Sequence, residues 1–120
     1  IDLAGFTRIT KQIIGDAIKL ADIGVENWTA VKENGENRPY INVYFENTKD
    51  LGLDIIRKKI NEKMKIVDTD YNDVHTMLGY DPLKLTTINQ GAFARYKEST
   101  KRQISNVNPE KGELAKLVTL

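Results

Sequence analysis

The sequence has no cysteine, no long apolar run and no excess of charge of either sign. Without cysteine there is no disulfide framework, and this absence favours a reducing compartment. No apolar run approaches the roughly 18 residues needed to cross a bilayer, and no basic-then-apolar leader opens the chain. The 18 Lys and Arg and the 17 Asp and Glu leave a net charge of +1, which argues against a nucleic-acid footprint. We therefore expect a cytoplasmic protein with no membrane and no nucleic-acid partner.

A length of 120 residues allows one domain with one core. The chain is 40% hydrophobic and 29% charged, close to the average for globular proteins. It begins at Ile1 without a Met, and residues 1–6, Ile-Asp-Leu-Ala-Gly-Phe, are typical of chain already inside a fold. We expect one module of a larger protein rather than a complete enzyme.

Hydrophobic periodicity predicts the order helix, strand, strand, helix, helix, strand, helix. The predicted helices start at the N-cap Thr10, at Thr48, at Tyr71 and at Gly91, and the predicted strands cover 25–33, 40–46 and 83–88. Short strands between longer helices favour an α+β two-layer sandwich, ferredoxin-like, with a short antiparallel sheet and helices mainly on one face. We place the α+β domain at residues 1–102 and a mobile C-terminal tail at residues 103–120.

Residues 68–73, Asp-Thr-Asp-Tyr-Asn-Asp, resemble the first half of a calcium-binding loop. Such a loop requires glycine at its sixth position and a bidentate glutamate at its twelfth, where this chain has Asp73 and Gly79. Carboxylates at a helix N-terminus, stabilised by the helix dipole, are the better interpretation. We predict no metal site in this chain.

Three other features have ordinary structural explanations. His75 is the single histidine, lies in a predicted helix, and has neither a second histidine nor a cysteine for a metal site. The Asn34–Asn37 cluster precedes a strand rather than a helix, so a hairpin turn is favoured over a phosphate loop. The aromatic residues lack the interleaved basic residues of a single-strand-binding platform, so core and hairpin packing is favoured for Trp28, Tyr40, Tyr44, Phe45 and Tyr80.

Residues 79–93, Gly-Tyr-Asp-Pro-Leu-Lys-Leu-Thr-Thr-Ile-Asn-Gln-Gly-Ala-Phe, resemble a signature near the carboxyl end of one enzyme family. The family is the plant auxin- and jasmonate-amino acid amido synthetases and their bacterial relatives, in which a Gly-Pro-Leu turn precedes a strand and Gly-Thr-Phe opens a helix. Tyr71 is similar to a helical tyrosine shortly before that turn. Residues 38–46, Arg-Pro-Tyr-Ile-Asn-Val-Tyr-Phe-Glu, are similar to the family's Pro-Gly-Tyr strand that ends in glutamate.

The resemblance implies the C-terminal lid domain of an acyl-adenylate-forming ligase, inactive in isolation. ATP, Mg²⁺ and a small carboxylic acid would be bound mainly by an N-terminal adenylation domain of the same polypeptide. The family has a tail lysine about twenty residues after the glycine of Gly-Thr-Phe, which corresponds to Lys111 when counted from Gly91. The family's Pro and Arg after that lysine are absent here, and Lys116 is the substitute candidate.

A different class of function is also compatible with the sequence. A free-standing ferredoxin-like module could bind a small ligand, or pair with a second copy through an open sheet face, without catalytic activity. This alternative predicts a stable dimer, whereas a detached lid domain should be monomeric or associate non-specifically through exposed apolar surface.

Overall fold

A computed structural model describes residues 1–3, 7–35 and 38–120, with the side chains of Asp2, Leu3, Thr7 and His75 excepted. The histidine prediction, the middle of the predicted 34–37 turn and residues 4–6 lie outside the described residues. The elements are β1 (Asp2–Leu3), β2 (Thr7–Arg8), α1 (Lys11–Ala21), β3 (Trp28–Gly35), β4 (Arg38–Glu46), α2 (Leu53–Val67), α3 (Thr69–Leu78), β5 (Leu83–Ile88), α4 (Ala92–Thr100) and α5 (Lys111–Val118).

The α+β class is confirmed, but the main sheet is mixed rather than wholly antiparallel. β3 and β4 form the predicted antiparallel hairpin, with Glu33 opposite Tyr40. β5 pairs with the other side of β4 in parallel, with Ile41 opposite Leu83. The helices α2 and α3 connect β4 to β5, and a helical crossover of this length returns the chain in its original direction. The short β1–β2 pair forms a separate sheet in the described part of the chain.

The main core lies between one face of this sheet and the helices α1 and α2. Ile41, Val43 and Phe45 alternate along β4 and are all buried, as their period of two predicts. The helices contribute apolar positions that recur at helical spacing. The buried helical residues are Ile14, Ala17, Ile18 and Ala21 of α1 and Ile56, Ile60 and Met64 of α2.

α2 begins later than the sequence predicted, at Leu53 rather than Thr48. The side chain of Asn47 closes the preceding turn: its amide donates to the Leu51 carbonyl at 2.7 Å and its oxygen accepts from the Leu51 N–H at 3.2 Å. Asp50 within this turn has a positive φ of 51°. An asparagine side chain that bonds nearby backbone competes with the helix, which explains the late start.

Residues 103–120 pack against the rest of the chain and contain a helix, which the predicted tail did not include. Val107 forms a parallel bridge with Ala30 of β3. The α5 residue Leu117 is fully buried in a second apolar cluster that also contains Ile88, Ala92, Tyr96 and Ile104. The domain boundary at residue 102 stays a prediction. Within the described ranges, no helix combines the length and apolarity required to span a bilayer.

Candidate functional site

Lys111 is the first residue of α5, and its side chain is exposed. It borders a cleft of about 280 Å³ between α5 and the hairpin strand β3. The other lining residues are Val31, Lys32, Glu33, Asn108, Pro109 and Leu114. No ion pair joins Lys111 to a carboxylate of the described chain. The ammonium is therefore available to an anion that enters this cleft.

The start of α5 is fixed by Glu113, two residues after Lys111. Its carboxylate accepts from the Glu110 backbone N–H at 3.2 Å and from the Tyr96 hydroxyl of α4 at 3.1 Å. Burial, followed by this hydrogen bond to Glu113, raises the pKa of Tyr96 above its usual value. Because the Glu113 carboxylate makes both bonds, it fixes the position of the first turn of α5, which carries Lys111, relative to α4.

Lys116, the substitute candidate, lies in the last turn of the same helix. Five residues of α-helix rotate a side chain by roughly 140° relative to Lys111. A lysine in the last turn also complements the helix dipole, which gives Lys116 an ordinary structural explanation. Lys116 does not line the cleft that Lys111 borders.

Glu33, which lines the same cleft, is the centre of a hydrogen-bonded cluster on the sheet face opposite the main core. One carboxylate oxygen accepts from the Tyr44 hydroxyl at 3.1 Å and the Asn42 amide at 2.9 Å, and the other accepts from the Tyr40 hydroxyl at 3.0 Å. The Asn42 oxygen in turn accepts from the Thr86 hydroxyl at 2.8 Å. The cluster therefore spans all three strands of the main sheet.

The two tyrosines of this cluster are held in their protonated form. Burial, with the hydrogen bond to Glu33, raises the pKa of Tyr44 to about 12. The hydrogen bond to Glu33 is the main reason why the pKa of Tyr40 is also raised. A neutral hydroxyl donates to the Glu33 carboxylate, whereas a tyrosinate would repel it. At neutral pH these tyrosines serve as hydrogen-bond donors rather than as bases.

The two segments that carry the family resemblance meet at the start of α4. The Glu46 carboxylate, at the end of β4, accepts from the backbone N–H groups of Gly91 and Phe93. Gly91 has a φ of 84°, a left-handed conformation that a side chain would strain. A carboxylate on unpaired N–H groups at a helix N-terminus is a stabilising cap. The strand-terminal glutamate and the glycine thus have a shared structural role.

Tyr71, the third part of the resemblance, is fully buried and donates to the Asn61 oxygen at 2.5 Å. The Asn61 amide donates to Asp81 at 3.0 Å, and Asp81 also pairs with Arg57 at 3.5 Å and Lys65 at 3.9 Å. Burial, followed by the charge of Asp81, raises the pKa of Tyr71. This network joins α2, α3 and the chain that enters β5, and its role is structural.

The calcium-like segment is divided between two helices. Asp68 is the C-cap of α2, and Asp70 lies in the first turn of α3. No group of three His, Cys, Asp or Glu residues capable of holding a metal ion is found in residues 1–3, 7–35 and 38–120. Asp70 is in the position that the helix-dipole interpretation predicts.

The aromatic residues divide between the two faces of the sheet. Trp28 and Phe45 belong to the main core, with Trp28 7% exposed and Phe45 1% exposed. Tyr40, Tyr44 and Tyr80 are only partly buried, and the Tyr80 hydroxyl donates to the Pro39 carbonyl at 2.7 Å. Sequence reasoning placed all five in core and hairpin packing and missed the polar cluster around Glu33. The signal was the alternation of Tyr40, Asn42 and Tyr44, which assigns three polar groups to one strand face.

Comparison with solved structures finds a similar fold in a GH3.15 acyl acid amido synthetase, with a TM-score of 0.72 and 11% sequence identity. The similarity covers 98% of this chain and 25% of that chain, so the present chain spans about a quarter of the synthetase's length. The sequence matches no protein-family model and no curated protein. At this identity the similarity is one of fold, and it supports the family resemblance at that level.

Proposed function

We propose that this chain is the C-terminal lid domain of an ATP-dependent acyl-adenylate-forming ligase. The observation that carries the proposal is the fold similarity, which extends over 98% of this chain but only 25% of an acyl acid amido synthetase. A domain-sized match of this kind is expected when one chain corresponds to a single module of a larger enzyme. The remaining part of the polypeptide, an N-terminal adenylation domain, would bind the acid and most of the nucleotide.

The reaction that such a ligase performs has two steps. A carboxylate oxygen of the acid attacks the α-phosphorus of ATP, and the bond to pyrophosphate breaks to leave an acyl-AMP. An amine or thiol then attacks the acyl carbon, AMP departs with the bonding electron pair, and the acceptor loses a proton. In both steps negative charge is redistributed over the carboxylate and phosphate oxygens.

Lys111 is the residue of this chain that we assign to that charge. Its ammonium borders an open cleft and has no carboxylate partner in the described ranges, so it can contact a phosphate or carboxylate oxygen. A preorganised positive group beside developing negative charge typically contributes about 10²–10³ in rate. The domain would deliver this lysine by moving as a lid, which restricts its action to the closed state.

The residues present fit nucleotide phosphate better than they fit a metal ion. Lys111 offers an ammonium group at this cleft, whereas no three-ligand carboxylate or histidine group is found in the described residues. ATP could be contacted here through its phosphates. Mg²⁺ would be bound by residues of the N-terminal domain.

The test is acid-dependent exchange of pyrophosphate into ATP, measured on the native polypeptide that contains this chain. We expect exchange by the native polypeptide, none by the 120-residue chain alone, and a loss of about 10²-fold or more in Lys111→Ala. Lys116→Ala on the same helix is the matched control and should retain exchange. Exchange by the isolated chain, or equal rates for the two lysine variants, would contradict the proposal.

A free-standing binding or dimerisation module is the second candidate, favoured by the partly exposed Glu33 and Tyr40 side chains at the hairpin end of the sheet face opposite the main core. Sedimentation velocity on the purified chain separates the two. A concentration-independent dimer that Tyr40→Ala disrupts supports pairing through that face. A monomer supports the ligase domain.

A further inference from the structure

A second cleft, of about 400 Å³, lies at the end of the β3–β4 hairpin beside the start of β5. Ligand pockets commonly have volumes of about 300–1,000 Å³, so this cleft is large enough for a small molecule. Glu33 lines the Lys111 cleft, whereas Tyr40, to which Glu33 is hydrogen-bonded, lines this one. The lining residues are Gly35, Arg38, Tyr40, Tyr80, Asp81, Leu83 and Lys84.

Two cations of this cleft each lie over an aromatic ring. The Arg38 guanidinium carbon is 5.2 Å from the centre of the Tyr80 ring, and the Lys84 ammonium is 5.6 Å from the centre of the Tyr40 ring. Both distances are within the range of a cation–π interaction. Arg38 lies on β4 and Lys84 on β5, so two neighbouring strands each supply one positive group.

The rings that support these cations are themselves fixed. The Tyr40 hydroxyl donates to Glu33, and the Tyr80 hydroxyl donates to the Pro39 carbonyl. A Cβ atom at position 35 would lie 3.0 Å from the Tyr40 ring. The absence of a side chain at Gly35 therefore leaves room for that ring. The cleft is therefore preorganised: two anchored rings hold two cations at its rim.

The two carboxylates near the cleft already have partners outside it. The Asp81 carboxylate accepts a hydrogen bond from the Asn61 amide and forms ion pairs with Arg57 and Lys65. Glu33 accepts from two tyrosines and an amide. Arg38 and Lys84 have no carboxylate partner in the part of the chain that the structure describes. The rim therefore has a net positive charge, and the rings of Tyr40 and Tyr80 together with Leu83 give the cleft its apolar surface.

We propose that this cleft binds a small planar organic anion, which places its carboxylate or phosphate between Arg38 and Lys84 and its planar body against Tyr40, Tyr80 and Leu83. A guanidinium in a fixed orientation suits a two-oxygen acceptor, and an ammonium adds a point charge. The aromatic and aliphatic wall selects a flat apolar body over a free inorganic anion. The cleft contains neither Lys111 nor any part of an adenylation domain, so anion binding here does not depend on the proposed function.

The experiment is a titration of the purified protein, followed by backbone amide shifts, with benzoate, phenyl phosphate, inorganic phosphate and benzamide. We expect benzoate and phenyl phosphate to bind at about millimolar concentration and to shift the amides of Gly35, Leu83 and Lys84. The tighter of the two identifies the head group that the cleft prefers. Inorganic phosphate lacks the planar body, and benzamide lacks the charge, so both should bind at least about fivefold more weakly.

Variants test whether the named cations form the site. Lys84→Gln and Arg38→Gln should each weaken binding about tenfold, because each removes a charge-assisted hydrogen bond. Lys84→Arg should retain binding, and Lys59→Gln, an exposed lysine on α2, is the control for general charge loss. Unperturbed spectra elsewhere show that each variant is folded. No saturable binding up to about 10 mM, or equal affinity for Lys84→Gln and Lys59→Gln, would overturn the proposal.

Discussion

The buried bond between Tyr71 and Asn61 should be a large single contribution to stability. Tyr71→Phe removes a hydroxyl that is fully buried and leaves the Asn61 oxygen, on a side chain only 5% exposed, without its donor. Loss of the bond together with an unsatisfied buried acceptor costs about 1–3 kcal/mol. Tyr40→Phe is the matched control, because Glu33 keeps the Asn42 and Tyr44 donors and the site is partly solvated. Its cost should remain below about 1 kcal/mol.

Urea denaturation measures this difference. With a slope of about 1.5 kcal/mol per molar urea, a loss of about 2 kcal/mol lowers the midpoint by roughly 1.3 M. The slope itself should not change, since the bond contributes little to the surface exposed on unfolding. Equal midpoints for Tyr71→Phe and Tyr40→Phe would show that the buried Tyr71–Asn61 bond contributes no more to stability than the partly solvated Tyr40–Glu33 bond.

A double-mutant cycle shows whether the cost arises from the pair. Asn61→Leu alone leaves the Tyr71 hydroxyl buried without an acceptor, whereas Asn61→Leu with Tyr71→Phe removes both partners. Asp81 keeps Arg57 and Lys65 in each case. We expect the double variant to be more stable than the sum of the singles predicts, by about 1–2 kcal/mol. Strict additivity would assign the cost to packing instead.

Three further perturbations follow from the same contacts. Glu46→Gln should cost about 1 kcal/mol in urea, because the charged cap of α4 is lost, whereas Glu98→Gln on the exposed face of α4 should cost almost nothing; equal costs would contradict the cap. Leu117→Ala should cost about 2–5 kcal/mol, since it opens a cavity under α5, and a neutral result would show that α5 is not docked. Stability should fall between pH 10.0 and about 12, because the unfolded chain releases the Tyr44 proton before the folded chain does. Urea midpoints below and above pH 10.0 measure this, Tyr44→Phe should flatten that fall, and an unchanged slope would contradict it.

Sequence periodicity could predict those features of the fold that depend on a single helix or strand, such as which of its faces is buried. The alternation of Ile41, Val43 and Phe45 predicts that they share the buried side of their strand, and all three are buried. The helical spacing of Leu53, Ile56, Ile60 and Met64 predicts one apolar stripe on α2, and the last three are buried, whereas Leu53 remains 41% exposed. A period reports which face of an element is apolar, but it does not report where that element ends in the packed chain.

The parts that could not be predicted depend on contacts between distant residues. The parallel pairing of β5 follows from the crossover, and the docking of α5 follows from a cluster that includes Leu117, Ile88 and Tyr96. The Glu33 cluster requires that Glu33 lie opposite Tyr40 and on the same sheet face as Asn42, which only the hairpin register decides. The placement of Lys111 was implied by resemblance, and its catalytic role stays a prediction.

The size of the native polypeptide decides whether this chain is one domain of a larger ligase. An immunoblot of the source cells with an antibody raised against this chain reports that size. The fold similarity covers a quarter of the synthetase, so the account predicts a band at about four times 13.6 kDa. A single band near 13.6 kDa would contradict the ligase-domain proposal and would favour a free-standing module.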